Sequence, residues 1–269
     1  MQFRFPDSST PNGAIIAINC PDREQVLSSA RDRLRDGRSF ALATLNVDHL
    51  QRLGEDATFV HAYARHDLIC ADGNPIVWLS RLSGDPVKLV PGSDLVVPLM
   101  QVAVEGAWPV ALIGSNDDSL AKAGERLRKL VPGLRIVLRH APGFPFDPDG
   151  DEASALIETI RNSGARLCLL ALGAPRQERF AIRARDALDG VGFASIGAGL
   201  DFLSGHQRRA PKLIRQARLE WLWRMLSNPR RLAGRYARGF LILPSHAIEA
   251  IRQGRVARNR APGRSDSQG

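Results

Sequence analysis

The run Leu167-Cys168-Leu169-Leu170-Ala171-Leu172-Gly173 constrains the fold more than any other stretch of the chain. It carries no polar side chain, so a strand made from it needs apolar cover on both faces. Comparable apolar runs recur at 14–18, 40–45, 108–114, 134–138 and 192–197. Between them lie segments with helical periodicity. Over 21–35, Val26, Leu27, Ala30 and Leu34 share one face, and Gly37 stands where a helix would end. Further helices are predicted over 95–104, 119–130, 153–162 and 176–186. Buried strands alternating with helices predict an α/β fold, a Rossmann-like parallel sheet with helices on both faces. With 44% apolar and 24% charged residues among 269, the chain can bury a substantial core.

The pattern changes after Gly205, where no further strand is predicted and arginine becomes frequent. A helix over 211–226 places Ile214, Ala217, Trp221, Leu222 and Met225 on one stripe, flanked by Lys212, Arg215 and Arg218. Pro229 closes it. A second helix over 230–243 sets Arg231, Arg235 and Arg238 beside Leu232, Tyr236 and Leu241. Residues 251–269 lack the apolar content for a packed element and are expected to be disordered. The reading is a catalytic core at 1–205, a cationic helical appendage at 206–250 and a tail.

Net charge follows the same division. Residues 202–269 hold 15 basic and 3 acidic side chains, +12, against a whole-chain balance of 37 − 28 = +9. Residues 1–201 therefore carry −3. This asymmetry points to an anionic partner surface, lipid headgroups or nucleic acid. Trp221, Leu222, Trp223, Met225 and Leu226 are interleaved with the charge, and no helix-turn-helix, RNP or zinc pattern is present. The lipid surface is the preferred partner, and nucleic acid the alternative. No run approaches the ~20 apolar residues of a spanning helix, and the N-terminus does not read as a signal peptide. The three cysteines are far apart, with no CxxC pair, as in a chain from a reducing compartment.

In a doubly wound sheet, ligands bind beyond the carboxyl ends of the strands. After the 40–45 strand come Thr44, Asn46, Asp48 and His49, which suit either a polar ligand or the N-cap of the next helix. Asp72 sits in a turn forced by Gly73 and Pro75, placed either as a general base or as a turn residue. Ser93 and Asp94 open an apolar helix, as caps or as part of a phosphate-binding N-terminus. Arg176, Gln177 and Glu178 follow the most apolar strand and Pro175, at the edge where a nucleotide would lie. Gly197-Ala198-Gly199 lacks the third glycine of a dinucleotide fingerprint, which argues against a nicotinamide oxidoreductase. There is no P-loop, HExxH or GxSxG. Asp147-Pro148-Asp149 has the letters of a metal clasp, but its Pro-rich loop reads as surface.

Taken together, TLNVDHL (44–50), ADGNPIVWLSRLSG (71–84), PGSDLV (91–96), LIGS (112–115), LGAPRQE (172–178) and the segment from Ile196 to Tyr236 resemble the WecG/TagA/CpsF family of bacterial glycosyltransferases. The most specific part is the last, with D-F-x-x-G, R-A-P, L-E-W and P-R-R-L followed by R-Y. The resemblance implies an inverting transferase that moves a sugar from a UDP-sugar to a polyprenyl-diphosphate-linked acceptor, at the inner face of the cytoplasmic membrane, without metal or other cofactor. It implies Asp72 as catalytic base, Thr44 and Asn46 in the pocket and Gln177 beside the donor. Asp48, Lys88, Ser93, Asp94, Arg176 and Glu178 complete the candidate substrate-binding set. Arg215, Arg218, Arg224, Arg231 and Arg235 are the candidate membrane-binding or site-closing cations. One position departs from the family pattern. Where the family often has an arginine three residues before the Gly of G-S-D, this chain has Leu89, with Lys88 beside it. A lysine cannot reproduce bidentate recognition by an arginine.

Overall fold

The computed structural model describes residues 1–6, 13–206 and 229–260. The apolar runs form a six-stranded parallel sheet from β3 (Phe40–Leu45), β4 (Leu68–Ala71), β5 (Val110–Gly114), β6 (Ile136–His140), β7 (Leu167–Ala171) and β8 (Gly192–Ser195). Their spatial order is β4-β3-β8-β7-β5-β6. The inner strands are buried almost throughout, which is why they read as unbroken apolar runs. At the edge, β6 alternates between half-buried and exposed positions.

One sheet face is covered by α1 (Arg23–Arg35), α5 (Gly92–Glu105), α6 (Asp117–Leu130) and α9 (Gly199–Ser204), in a core that includes Val26, Leu42, Leu95, Leu112 and Leu120. The other face carries α7 (Asp151–Ser163) and α8 (Arg176–Ala187), packed through Leu156, Ile160 and Phe180. Beside them, α2 (Val47–Glu55), α3 (Ala57–Ala64) and α4 (Asn74–Leu82) enclose a third cluster with Leu45, Leu50, Phe59 and Ile76. The helix ends follow their sequence. The carboxylate of Asp22 accepts from the Gln25 amide at 3.0 Å to cap α1, Glu24 lies in the first turn, and Arg33 and Arg35 lie in the last.

Two expectations are corrected. The 14–18 run is not a strand of the sheet: Ala14–Ala17 (β2) pairs antiparallel with Gln2–Phe5 (β1) in a separate hairpin, with Phe3 opposite Ile16. The sheet's edge strand beside β3 is instead β4, which was not predicted as a strand and whose register sets Thr44 beside Cys70 and Leu45 beside Ala71. At the other end, one helix, α10 (Pro229–Arg260), runs through Pro244 and continues ten residues past the expected end of the appendage at 250. The predicted 211–226 helix and residues 261–269 lie outside the described residues.

The β5–α6 turn is the tightest passage at the carboxyl edge. Gly114 has φ 111°, and a Cβ there would lie 2.5 Å from the backbone of Ala171 on the neighbouring strand. Gly114→Ala combines a left-handed backbone with a backbone clash. It is expected to lower stability by roughly 3 kcal/mol, read as a fall in the urea midpoint at unchanged slope.

Candidate active site

The carboxyl ends of β3, β4, β7 and β8 converge with the N-terminus of α5. The β3–β4 register carries Asn46 and Asp72 out of the sheet on adjacent strands, spaced ~4.8 Å apart in such a ladder. The Asp72 amide donates to the Leu45 carbonyl at 2.7 Å, and this ties the loop back to β3. Gly73 then turns the chain with φ 112° into α4, leaving the Asp72 side chain half-buried at the edge. Asn46 does cap its helix: its Oδ1 accepts from the His49 amide at 3.0 Å. Asp48, in the first turn of α2, accepts from Arg52 Nε at 3.0 Å.

Thr44 is buried, and α5 comes up against it because residue 92 is glycine. A Cβ there would lie 3.2 Å from Thr44 Oγ1 and 3.1 Å from the Ile196 carbonyl oxygen. Gly199 lets α9 approach the same helix end, 3.3 Å from Ser93 Cα by the same measure. Neither Ser93 nor Asp94 caps α5, contrary to one of the sequence-based alternatives. The cap position is Pro91, and no side chain caps the first turn. A fourteen-residue helix thus points an uncapped N-terminus at the centre of the edge, where its backbone N–H groups and dipole favour an anion.

Gln177 and Glu178 begin α8 directly after β7, and both are buried. Glu178 has no exposed surface, so it is enclosed behind the edge rather than presented to a ligand. Arg176 is half-buried, with its guanidinium 5.3 Å from the centre of the Phe144 ring. Phe144 was not singled out from the sequence, yet it is 88% exposed in the loop that follows β6. A large aromatic ring left in solvent at this edge, backed by a cation, is a flat surface on which a base can stack. Ser115 Oγ donates to the carboxylate of Asp201, joining the β5–α6 turn to α9. Both residues lie in motifs that carry the resemblance, LIGS and D-F-x-x-G, but neither stands among the candidate site residues, because their pairing arises only in the fold.

Lys88 is the outlier of the predicted set. It is 79% exposed and its Nζ is held 3.0 Å from the Asp22 carboxylate, so it has to break an ion pair before it can meet a diphosphate. Leu89 lies beside it and forms an isolated parallel bridge with Ala71. Arg215, Arg218 and Arg224 fall outside the described residues. Arg231 and Arg235 lie on the described backbone of α10, but their side chains lie outside what is described.

Nucleophilic and histidine chemistry find little support here. Burial pushes the Cys20 thiol up to about 11 and drives Cys70 and Cys168 upward too, which leaves the thiols protonated and inert. Burial lowers His66 to about 4, so it is neutral near pH 7. Among the described residues no group of three or more His, Cys, Asp or Glu could hold a metal ion.

Residues 14–260 match the family described as Glycosyl transferase WecG/TagA/CpsF family. The chain belongs to this family. As a WecG/TagA/CpsF glycosyltransferase it acts in cell-surface polysaccharide synthesis, on a sugar donor and an acceptor. The match spans the sheet, the carboxyl-edge loops and all of α10. No helix among the described residues is long and apolar enough to cross a membrane.

Proposed function

We propose that the protein is an inverting, UDP-sugar-dependent glycosyltransferase that glycosylates a polyprenyl-diphosphate-linked acceptor at the inner face of the cytoplasmic membrane. The observation that carries this reading is the pairing, at one sheet edge, of a half-buried carboxylate, Asp72, with the uncapped N-terminus of α5 beside Thr44. The two supply opposite needs of one displacement at the anomeric carbon. Asp72 takes the proton from the incoming acceptor hydroxyl. The α5 amides, Thr44 and cations from the arginine-bearing C-terminal segment meet the charge that grows on the departing UDP. Phe144 and Arg176 offer the stacking surface for the uracil. A single displacement by the acceptor inverts the anomeric centre.

The membrane reading is supported by α10. Between 229 and 260 the sequence has eight arginines and one glutamate. Its outward face nonetheless carries Leu241, which is 80% exposed, and the exposed Ile248 and Ile251. A cationic helix that is apolar on its solvent side suits an anionic leaflet.

The test is transfer from a panel of UDP-sugars (N-acetylmannosamine, its uronic acid, glucose, galactose) to a polyprenyl-diphosphate-linked sugar, with product anomers read by NMR. One donor is expected to be used with inversion, and at the same rate in excess chelator. Retention, a strict need for Mg²⁺ or Mn²⁺, or no transfer from any UDP-sugar would overturn the reading.

A further inference from the structure

Behind the carboxyl edge, polar side chains from three helices meet in a buried chain to which the transfer chemistry above assigns no step. Glu178 of α8 is fully enclosed. Its Oε1 accepts from Gln177 Nε2 at 2.7 Å and lies 3.8 Å from Nε2 of His49 on α2. His49 is itself buried, and its Nδ1 lies 3.3 Å from the hydroxyl of Tyr63 on α3. Two atoms of the chain, Glu178 Oε2 and Gln177 Oε1, have no hydrogen-bond partner among the described residues.

Burial, followed by the charges of Glu178, Cys70 and Asp72, raises the Tyr63 pKa well above that of an ordinary phenol. The protonated Tyr63 hydroxyl can donate to His49 Nδ1, and the imidazole proton then sits on Nε2, facing Glu178. A buried carboxylate is costly without a partner. Among the described residues, His49 is the basic side chain in ion-pair range of Glu178. The Gln177 NH₂ is turned toward Glu178, whose Oε1 accepts from it. The carboxamide is then committed on its nitrogen side, and Oε1 is what remains.

We propose that Glu178, backed by His49 and Tyr63, is a positioning residue that fixes the Gln177 carboxamide and makes Gln177 a hydrogen-bond acceptor for the sugar nucleotide. The proposal rests on the transferase reading above and sharpens it. A carbonyl oxygen accepts from a hydroxyl or an acetamido N–H and is repelled by a phosphate oxygen. Gln177 therefore reads the sugar or the nucleoside of the donor, and not its diphosphate.

The test is Glu178→Gln, a neutral isostere that can donate or accept and so no longer dictates which way Gln177 faces. Donor KM is expected to rise about tenfold, the worth of one hydrogen bond near 1.4 kcal/mol, with kcat within a few-fold of wild type and no loss of melting temperature. Gln177→Leu should raise donor KM to the same degree, and the double variant should add nothing, as for residues acting as one unit. An unchanged donor KM in Glu178→Gln, or additive effects in the double variant, would overturn the proposal. Should Glu178→Gln not fold, Tyr63→Phe asks the same question from the other end of the chain, with the same rise in KM expected. ¹⁵N imidazole spectra, with His49 assigned through His49→Gln, give a readout independent of transfer. The Nε2–H tautomer is expected in the wild type and a mixture in Glu178→Gln. An Nδ1–H tautomer in the wild type overturns the positioning role even if sugar transfer is found. Absence of transfer from any UDP-sugar, with the tautomers as expected, would instead sink the reading of function.

Discussion

Asp72→Asn is expected to cut kcat by ~10²–10⁴-fold, the usual contribution of a positioned general base, while UDP affinity and melting temperature stay near wild type. The position explains why the effect should be confined to turnover. The backbone of Asp72 is fixed through its amide to the Leu45 carbonyl, and Gly73 makes the turn, so neither anchor depends on the carboxylate. Asparagine keeps the size and the hydrogen-bonding capacity of the side chain and loses only its basicity. The leaving diphosphate is served by other groups, so UDP binding should not register the change. Stopped turnover with retained UDP binding would be the signature of a missing base. A near-normal rate would move the base elsewhere, with Asp48 next in order. Asp48 is the weaker candidate because Arg52 occupies its carboxylate at 3.0 Å.

How far the sequence reveals this site depends on whether the evidence is local. Strands buried on both faces must be apolar throughout, so β3, β5, β7 and β8 were legible, and the loops after β3, β4 and β7 with them. The hairpin was not, because four apolar residues say nothing about whether their partner runs parallel or antiparallel. Ser93 and Asp94 look like caps by residue type, but Pro91 already has the extended geometry of a cap and the helix starts at Gly92, three residues before the predicted 95–104. The helix predicted over 230–243 extends through Pro244, although a proline removes a helical hydrogen bond, with packing against the core on either side of it. Asn46 and Asp72 could be found because each lies in a polar turn after an apolar strand. The Glu178–His49–Tyr63 chain could not, because its members lie on three helices and become neighbours only through folding. The same holds for Ser115 with Asp201. Phe144 looked like one more apolar residue in a Pro-rich loop until its exposure was known.

Truncation after Gly205 is expected to abolish both vesicle binding and sugar transfer, and also to destabilise what remains. The sequence suggested a detachable appendage on an intact core, but the inner face of α10 is part of that core. Ala250 is 1% exposed within the cluster formed by β1, β2, α2, α3 and α4, and Ile242, Leu243 and Ala247 pack against it. His246 meets Phe3 edge-on at 5.7 Å and lies 6.1 Å from Phe5. Gln253 exchanges hydrogen bonds with the backbone of Gln2 at 2.8 and 3.4 Å. Residue 254 must be glycine, since a Cβ there would stand 2.8 Å from the Leu82 carbonyl oxygen at the end of α4. Uncovering these side chains should cost roughly 4 kcal/mol, at about 1.5–3 kcal/mol for each aliphatic side chain of this size fully buried and less for those partly buried. The loss falls on α2 and α4, which carry Asn46 and Asp72 at their leading ends, so transfer should fail even for an acceptor dissolved in detergent. The outer face separates anchoring from this structural role. Leu241→Gln, Ile248→Gln and Ile251→Gln together change exposed positions only and leave net charge untouched. That triple variant should melt like the wild type and transfer to detergent-dissolved acceptor, yet bind vesicles of phosphatidylglycerol and phosphatidylethanolamine at least tenfold more weakly. A truncated chain with wild-type stability and turnover would show that α10 is only a tether. A triple variant that binds vesicles as well as the wild type would place the membrane contact on the arginines alone.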